Sequence, residues 1–360
     1  MFFDNNLKTM HWCRYLLIFA LLRCLPGAAQ ALPEPPLPRE TGRAMVRQAI
    51  ALVEQHGLPP RSQDEYEMFK TNLQQLVDEQ GDFIDRQQLY LRLQLMLNTL
   101  DSDNHTFLTR TMAASPGGQS TSGVAGASVV VATPDAARTA ALLHLIATPR
   151  GKVLHMTPPQ ITISDGQRAD EYLARGLAQI RASTLPGQAC AIVIDLSEQK
   201  GGNAWPPLSL LRPLFSAANS ARVVERNNRR IPVLPPAYFD DVTPNPLTRF
   251  AGEPLAFVMN GETSSAGEMI AVTLLGEGER ARSFGWLSDG KTTANRMFPL
   301  PDNASLVLSG ARYALADQPV IRGKIVPQTA AADGASMEDV LLAAATWAAN
   351  HSGLCNGSSR

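Results

Sequence analysis

"VMNGETSSAGEMIAVTLL", residues 258–275, decides the fold. An apolar run closes at Asn260, a polar turn follows, and a second apolar run with helical spacing opens near Ala266. Extended backwards, the first run is "PLAFVMN" (254–260), a strand buried on both faces. The stretch therefore reads as strand, turn and buried helix, with Ser265 at the elbow. A hydroxyl in that place has two uses. It caps the helix, a device contributing about 1 kcal/mol, with Glu268 three residues on to complete a capping box. Or it attacks a substrate, because the positive end of the helix dipole favours developing negative charge and the elbow presents the oxygen at the sheet's edge. On this stretch alone the cap is the simpler account.

Outward from the elbow, strand and helix alternate. "ASVVVAT" (127–133) reads as a strand, "DEYLARGLAQIRAS" (170–183) as an amphipathic helix, and "ACAIVIDL" (189–196) as a second fully buried strand. "WPPLSLLRPLF" (205–215) restarts a helix, "RARSFGWL" (280–287) is strand-like, "ASLVLSGARYAL" (304–315) suggests a hairpin, and "MEDVLLAAATWAAN" (337–350) is a terminal helix. This pattern predicts an α/β core. Ahead of it lie two helical segments, "GRAMVRQAIALVEQHG" (42–57) and "DRQQLYLRLQLMLNTL" (85–100). A turn-rich "LDSDNHTFL" (100–108) and a glycine- and serine-rich loop, "AASPGGQSTSGVAGA" (113–127), follow. The expected organisation is a signal peptide over 1–31, an N-terminal helical region over 32–110, the core over 111–350 and a short tail over 351–360.

With 360 residues and 44% hydrophobic content, a large core is available. Charged residues make up 18% and the formal net charge is -1, which speaks against a nucleic-acid surface. The densest basic run, "ERNNRR" (225–230), reads as a solvated loop. Lys8 and Arg14 precede the apolar run "YLLIFALL" (15–22), and "AAQA" (28–31) supplies small residues at a cleavage site. That pattern predicts export to the periplasm or the cell exterior. The apolar run is too short to span a bilayer. Cys13 and Cys24 leave with such a signal, so Cys190 and Cys355 remain, either bridged in an oxidising compartment or as two free thiols. The six histidines are scattered and there is no CxxC, so a structural metal site is not expected.

A second chemical element is "IDLSEQKGGNAW" (194–205), a strand running into two glycines. Gly201 and Gly202 let backbone N–H groups face a ligand with no Cβ in the way, as an oxyanion hole requires. By themselves they read as an ordinary glycine turn. Taken together, Asp195-Leu196 with Gly201-Gly202-Asn203, then Ser265-Ala266-Gly267-Glu268, then Gly290-Lys291, resemble the tail-specific (C-terminal-processing) serine peptidase family in motif order and spacing. "LDSDNHTF" (100–107) is similar to the histidine segment of the family's histidine-using branches, "FPLPDNASLVLS" (298–309) to its Pro-Asp-Gly strand pair, and "GKIVPQ" (323–328) to its closing motif. The resemblance covers roughly residues 89–348 and implies a crotonase-like core with an N-terminal helical segment. No glycine-leucine carboxylate-binding loop of a PDZ domain is found. Ser197, Gln199, Asn303 and Gln328 depart from the family's pattern and mark a divergent branch.

The resemblance implies acyl transfer: Ser265 attacks a peptide carbonyl, and N–H groups near Gly201, Gly202 and Ala266 hold the oxyanion. A serine hydroxyl needs a neighbour to take its proton. Lys291 corresponds to the lysine of the Ser-Lys branch, with Asn295 where that branch has a lysine-positioning glutamine. It serves only if its pKa falls well below about 10. His105 corresponds to the histidine of the other branch and needs little perturbation; Asp101 and Asp103 are nearby in sequence. Both bases stay open at this point. No metal or organic cofactor is required, and the expected partner is a peptide or unfolded protein, not nucleic acid. Two rivals remain: a peptidase-like protein that binds peptides without cutting, and an acyl-CoA enzyme, which the export signal disfavours. Oligomeric state has no signature.

Overall fold

The computed structural model describes residues 35–79, 81–100, 105–110, 142–161, 166–235 and 244–356. The expected signal peptide, the loop over 113–127 and the strand over 127–133 lie outside them, as do Asp101 and Asp103.

Two sheets carry the fold. The first has six strands: β4 (Leu142–Thr148), β5 (Gly151–Thr157), β6 (Ala191–Asp195), β9 (Leu255–Met259), β10 (Ala281–Gly285) and β13 (Thr329–Ala330), in the order β13-β10-β9-β6-β5-β4. All neighbours are parallel except β4 and β5, which form an antiparallel hairpin. Every residue of β6 and β9 is buried, as expected of central parallel strands covered on both faces. The second sheet is antiparallel and has the order β11-β12-β7-β8, with β3 also on β12. Its strands are β3 (Phe107–Arg110), β7 (Ala221–Glu225), β8 (Arg230–Pro232), β11 (Thr293–Pro299) and β12 (Ala304–Leu315). A two-strand pair, β1 (Leu37–Pro38) with β2 (Phe83–Ile84), completes the strands described.

Helices fill the spaces between and outside these sheets. In α1 (Arg39–His56), buried Met45, Val46, Ala49, Ile50 and Val53 make one apolar stripe. With α2 (Gln63–Glu79) and α3 (Arg86–Leu97) it packs on Leu108, Leu306 and Leu308 of the second sheet. Sequence reading finds α1 and α3 but not α2, whose buried Tyr66, Leu73, Leu76 and Val77 are diluted by charged and amide side chains. Helices α4 (Gly166–Ala182), α5 (Trp205–Leu210) and α6 (Ala266–Leu275) share one core cluster with Leu154, Ile192 and Phe257 of the first sheet and Ala221 and Tyr313 of the second. Helix α6 is apolar on nearly every side because β9 and β10 lie against one flank and β12 the other. The outer face of the six-stranded sheet is covered by α7 (Met337–His351), through Val340, Ala344, Ala345, Ala348 and Ala349.

Three local readings need correction or addition. Residues 304–315 form one continuous strand, not a hairpin. Gly310 is there for space: a Cβ would lie 2.8 Å from the His56 carbonyl oxygen. The pairing also slips at that point, Ala294 facing Ala311 and Asn295 facing Ser309, so Gly310 is the extra residue of a bulge. The β4–β5 hairpin escapes the sequence reading altogether. The two cysteines, left open by sequence, form the disulfide Cys190–Cys355, with Cα atoms 4.9 Å apart. Among the described residues, no helix is long and apolar enough to cross a membrane.

Candidate active site

The elbow after β9 is built by side chains that hold the turn open. Asn260 Oδ1 accepts the Glu262 N–H (2.9 Å), and Thr263 Oγ1 donates to the Leu196 carbonyl (2.9 Å), tying the turn to the chain after β6. Ser264 N–H donates to the Gln199 carbonyl (2.9 Å), and its hydroxyl donates to Asp289 Oδ2 (2.6 Å). Ser265 then takes φ 52° and ψ -106°. For a residue with a Cβ that conformation costs roughly 1–3 kcal/mol and persists only where the surroundings impose it.

Glu268 is part of what imposes it. Fully buried, it accepts from Ser265 N–H (2.9 Å), Ser288 Oγ (2.5 Å) and Gly290 N–H (2.8 Å). Burial pushes its carboxyl up from the ordinary value, although the three donors pull the other way. Of the capping box expected from Ser265 and Glu268, the carboxylate half is made through the Ser265 N–H, while the serine hydroxyl has a partner of its own.

That partner is His105, whose Nε2 lies 2.9 Å from Ser265 Oγ. Its Nδ1 lies 2.5 Å from Thr293 Oγ1 on β11. The ring is buried, and β3, which begins two residues later, is hydrogen-bonded to β12. A histidine and a serine 160 positions apart thus meet because β3 joins the second sheet while α6 is wedged beneath it. Lys291 is placed differently. Its Nζ pairs with Asp289 Oδ2 at 3.0 Å, with both side chains about a third exposed (38% and 35%). Asn295 Nδ2 donates to the His105 carbonyl (2.8 Å). Its amide therefore serves the histidine segment, where the sequence resemblance assigned it to the lysine.

The glycine loop closes the other side. Gly201 and Gly202 have φ 125° and 103°, a region where a side chain is strained. A Cβ on Gly201 would sit 3.3 Å from Ser265 Cβ, so the loop lies directly against the elbow. The segment after β5 braces it. Gln199 donates through its side-chain amide to the Pro158 carbonyl, Gln160 Nε2 to the Gly201 carbonyl (3.1 Å), and Asn203 N–H to the Ile161 carbonyl (2.8 Å). Ala266, the first residue of α6, stands next to this loop through Ser265. No group of three or more His, Cys, Asp or Glu suited to a metal occurs among the described residues.

Thr293, Ser309 and Gln160 were not singled out from the sequence. Each is an isolated polar residue in or beside a strand, with no motif of its own. The departures from the family pattern have local explanations. Asp302 and Asn303 take φ 67° and 55° in the β11–β12 turn, and asparagine is the side chain that best replaces glycine there. Gln328 Oε1 accepts the Ser283 N–H (2.9 Å) and so ties β10 to the chain entering β13. Nothing in the structure explains serine at position 197 in particular.

A model of peptidase family S41 matches residues 159–330. Among solved structures, a lipoprotein from Streptococcus agalactiae superposes with a TM-score of 0.63 at 17% identity, over 88% of this chain and 97% of that one. The photosystem II D1 C-terminal processing protease gives a TM-score of 0.39 at 12% identity, over 57% of this chain and 52% of its own. No curated protein matches.

Proposed function

From the premise that this chain belongs to peptidase family S41, by the match over residues 159–330, we propose that it hydrolyses peptide bonds with Ser265 as nucleophile and His105 as general base. The observation that carries this reading is the 2.9 Å approach of His105 Nε2 to a Ser265 hydroxyl held at a strained elbow. Lys291 is less suited, since its ammonium is paired with Asp289 and partly solvated; a lysine base must be buried and neutral.

The proposed steps are those of acyl transfer. Ser265 Oγ attacks the scissile carbonyl carbon while its proton passes to His105 Nε2. The oxyanion accepts hydrogen bonds from backbone N–H groups of Gly201 or Gly202 and of Ala266 at the helix start. On collapse the C–N bond breaks, and the imidazolium returns the proton to the leaving amine. Water, deprotonated by the same histidine, then releases the acyl group as a carboxylate. The elbow between two sheets, with α6 enclosed, supports a crotonase-like core as the scaffold. The disulfide supports an oxidising compartment and hence export. The substrate class is a peptide or unfolded protein.

The test is turnover of fluorescein-labelled casein by the purified mature protein. Ser265→Ala is expected to abolish hydrolysis, His105→Ala to lower it by roughly 10²–10⁴-fold, and Lys291→Ala to leave most of it. Undiminished hydrolysis by Ser265→Ala sinks the assignment. Covalent labelling of Ser265 by a fluorophosphonate separates a working site from a protein that only docks peptides.

A further inference from the structure

We propose that Asn295 sets the tautomer of His105, acting through the hydroxyls of Ser309 and Thr293; this rests on the reading of His105 as the base. Thr293 and Asn295 are two apart on β11 and share a face. The bulge at Gly310 brings Ser309 of β12 opposite Asn295. All three side chains meet behind the imidazole, with Thr293 2% and Ser309 0% exposed, so the protein itself must satisfy these polar atoms.

The directions of the hydrogen bonds described among these four residues follow from one fixed point. Asn295 lies 2.8 Å from the His105 carbonyl oxygen, which can only accept. The amide must turn its NH₂ group to that carbonyl, so Oδ1 points inward. It lies 2.9 Å from Ser309 Oγ and 3.4 Å from Thr293 Oγ1. An amide oxygen has no proton to give, so Ser309 donates to it. Ser309 Oγ and Thr293 Oγ1 are 3.1 Å apart. With the Ser309 proton already committed, that contact is a hydrogen bond only if Thr293 gives its proton to Ser309, shared in part with Asn295. Were Thr293 to donate to His105 instead, the two buried hydroxyl oxygens would face each other with no proton between them. Thr293 therefore turns a lone pair toward His105 Nδ1, 2.5 Å away. Only the tautomer with hydrogen on Nδ1 satisfies that lone pair. Nε2 is then unprotonated and faces the Ser265 hydroxyl, ready to take its proton. In the opposite tautomer the single Thr293 proton cannot serve both Nδ1 and Ser309, so one of these two buried contacts would set lone pair against lone pair. Thr293 and Asn295 are thus positioning residues: neither touches the reacting atoms.

The decisive measurement is the long-range ¹H–¹⁵N correlation spectrum of the histidine rings in the ¹⁵N-labelled mature protein, at a pH where the rings are neutral. His105→Gln identifies the resonance by its disappearance. The expected wild-type pattern is a protonated Nδ1 and a bare Nε2. Thr293→Val is expected to shift the ring toward Nε2–H and to lower kcat by roughly 10- to 100-fold with KM little changed. Thr293→Ser restores both readings, and Asn295→Leu moves the ring in the same direction as Thr293→Val. A wild-type His105 protonated on Nε2 overturns the proposal, as does a Thr293→Val protein with unchanged tautomer and kcat. The wild-type spectrum decides even if a variant fails to fold. Because the ring is observed without turnover, a protein with the stated tautomer but no hydrolysis would refute the peptidase reading and leave this one standing.

Discussion

Gly267 shows how a single residue sets the geometry of the elbow. It is the second residue of α6, inside a regular helix with ordinary backbone angles. Helix propensity alone predicts that alanine there would be stabilising by about 1 kcal/mol. Packing predicts the reverse. A Cβ at this position would lie 2.3 Å from the Gln199 carbonyl oxygen and 2.8 Å from Gln199 Cβ. The same carbonyl accepts the Ser264 N–H at 2.9 Å, so it cannot retreat without loosening the turn that holds Ser265. The steric term wins, since overpacking against backbone typically costs about 1–3 kcal/mol. Gly267→Ala is therefore expected to lower the urea midpoint of unfolding and to reduce kcat together. A variant as stable as the wild type would show that the Gln199 turn is softer than its hydrogen bonds imply.

Among the contacts that pair one element with another, Asp195 matters most. It ends β6, and His155 of the neighbouring β5 reaches it, Nε2 to Oδ2 at 3.1 Å, while Ser197 N–H donates to Oδ1 at 2.9 Å. Burial alone would raise this carboxyl, yet the bonds from His155 and Ser197 outweigh it and hold it below its ordinary value of 3.8. A carboxylate depressed in the folded state contributes stability above its unfolded value and loses it as pH falls through the folded one. Asp289, depressed by Ser264 and Lys291 against its own burial, acts in the same sense. Glu268 acts oppositely: raised above 4.5, its contribution is present in acid and lost as pH rises through the folded value. Asp195→Asn should flatten the fall of unfolding free energy below about pH 4, read from urea titrations at several pH values. An acid limb as steep as that of the wild type would remove Asp195 from the account. The strands that meet here also show what a sequence reveals. The fully buried β6 and β9, and α6 between Ser265 and Gly276, were legible because continuous apolar runs and glycines mark them. The β4–β5 hairpin was not: no residue of β4 is fully buried, and β5 mixes buried and exposed positions without a continuous apolar run. At the candidate site, Ser265, His105 and the glycine pair could be named only through the resemblance in motif order. Which base reaches the serine could not, since that depends on β3 pairing with β12, a contact of about 200 positions' separation.

Across the whole molecule, the site and the covalent staple sit at opposite ends of one sheet. Ser265 follows the carboxyl end of β9, while Cys190 precedes the amino end of β6 and is bonded to Cys355, 165 positions away. Helix α7 spans the distance between them along the sheet's outer face. Its far end is also held without sulfur: Ser352 Oγ donates to the Cys190 carbonyl (2.6 Å), and Glu253 accepts the Gly353 N–H (2.9 Å). Closing so long a loop restricts the unfolded chain most, and removing such a bridge typically costs about 2–5 kcal/mol. The retained polar anchors argue for the lower part of that range. Since none of the described groups around Ser265 and His105 belongs to α7 or the described part of the tail, Cys355→Ala should lower the denaturant midpoint while leaving kcat at low temperature unchanged. Thermal inactivation should be faster in proportion, and reductant added to the wild type should reproduce the shift. An equal fall in kcat, measured well below the unfolding transition, would mean that the staple reaches the elbow through β6 and the Gln199 turn, and that the two ends of the sheet are coupled.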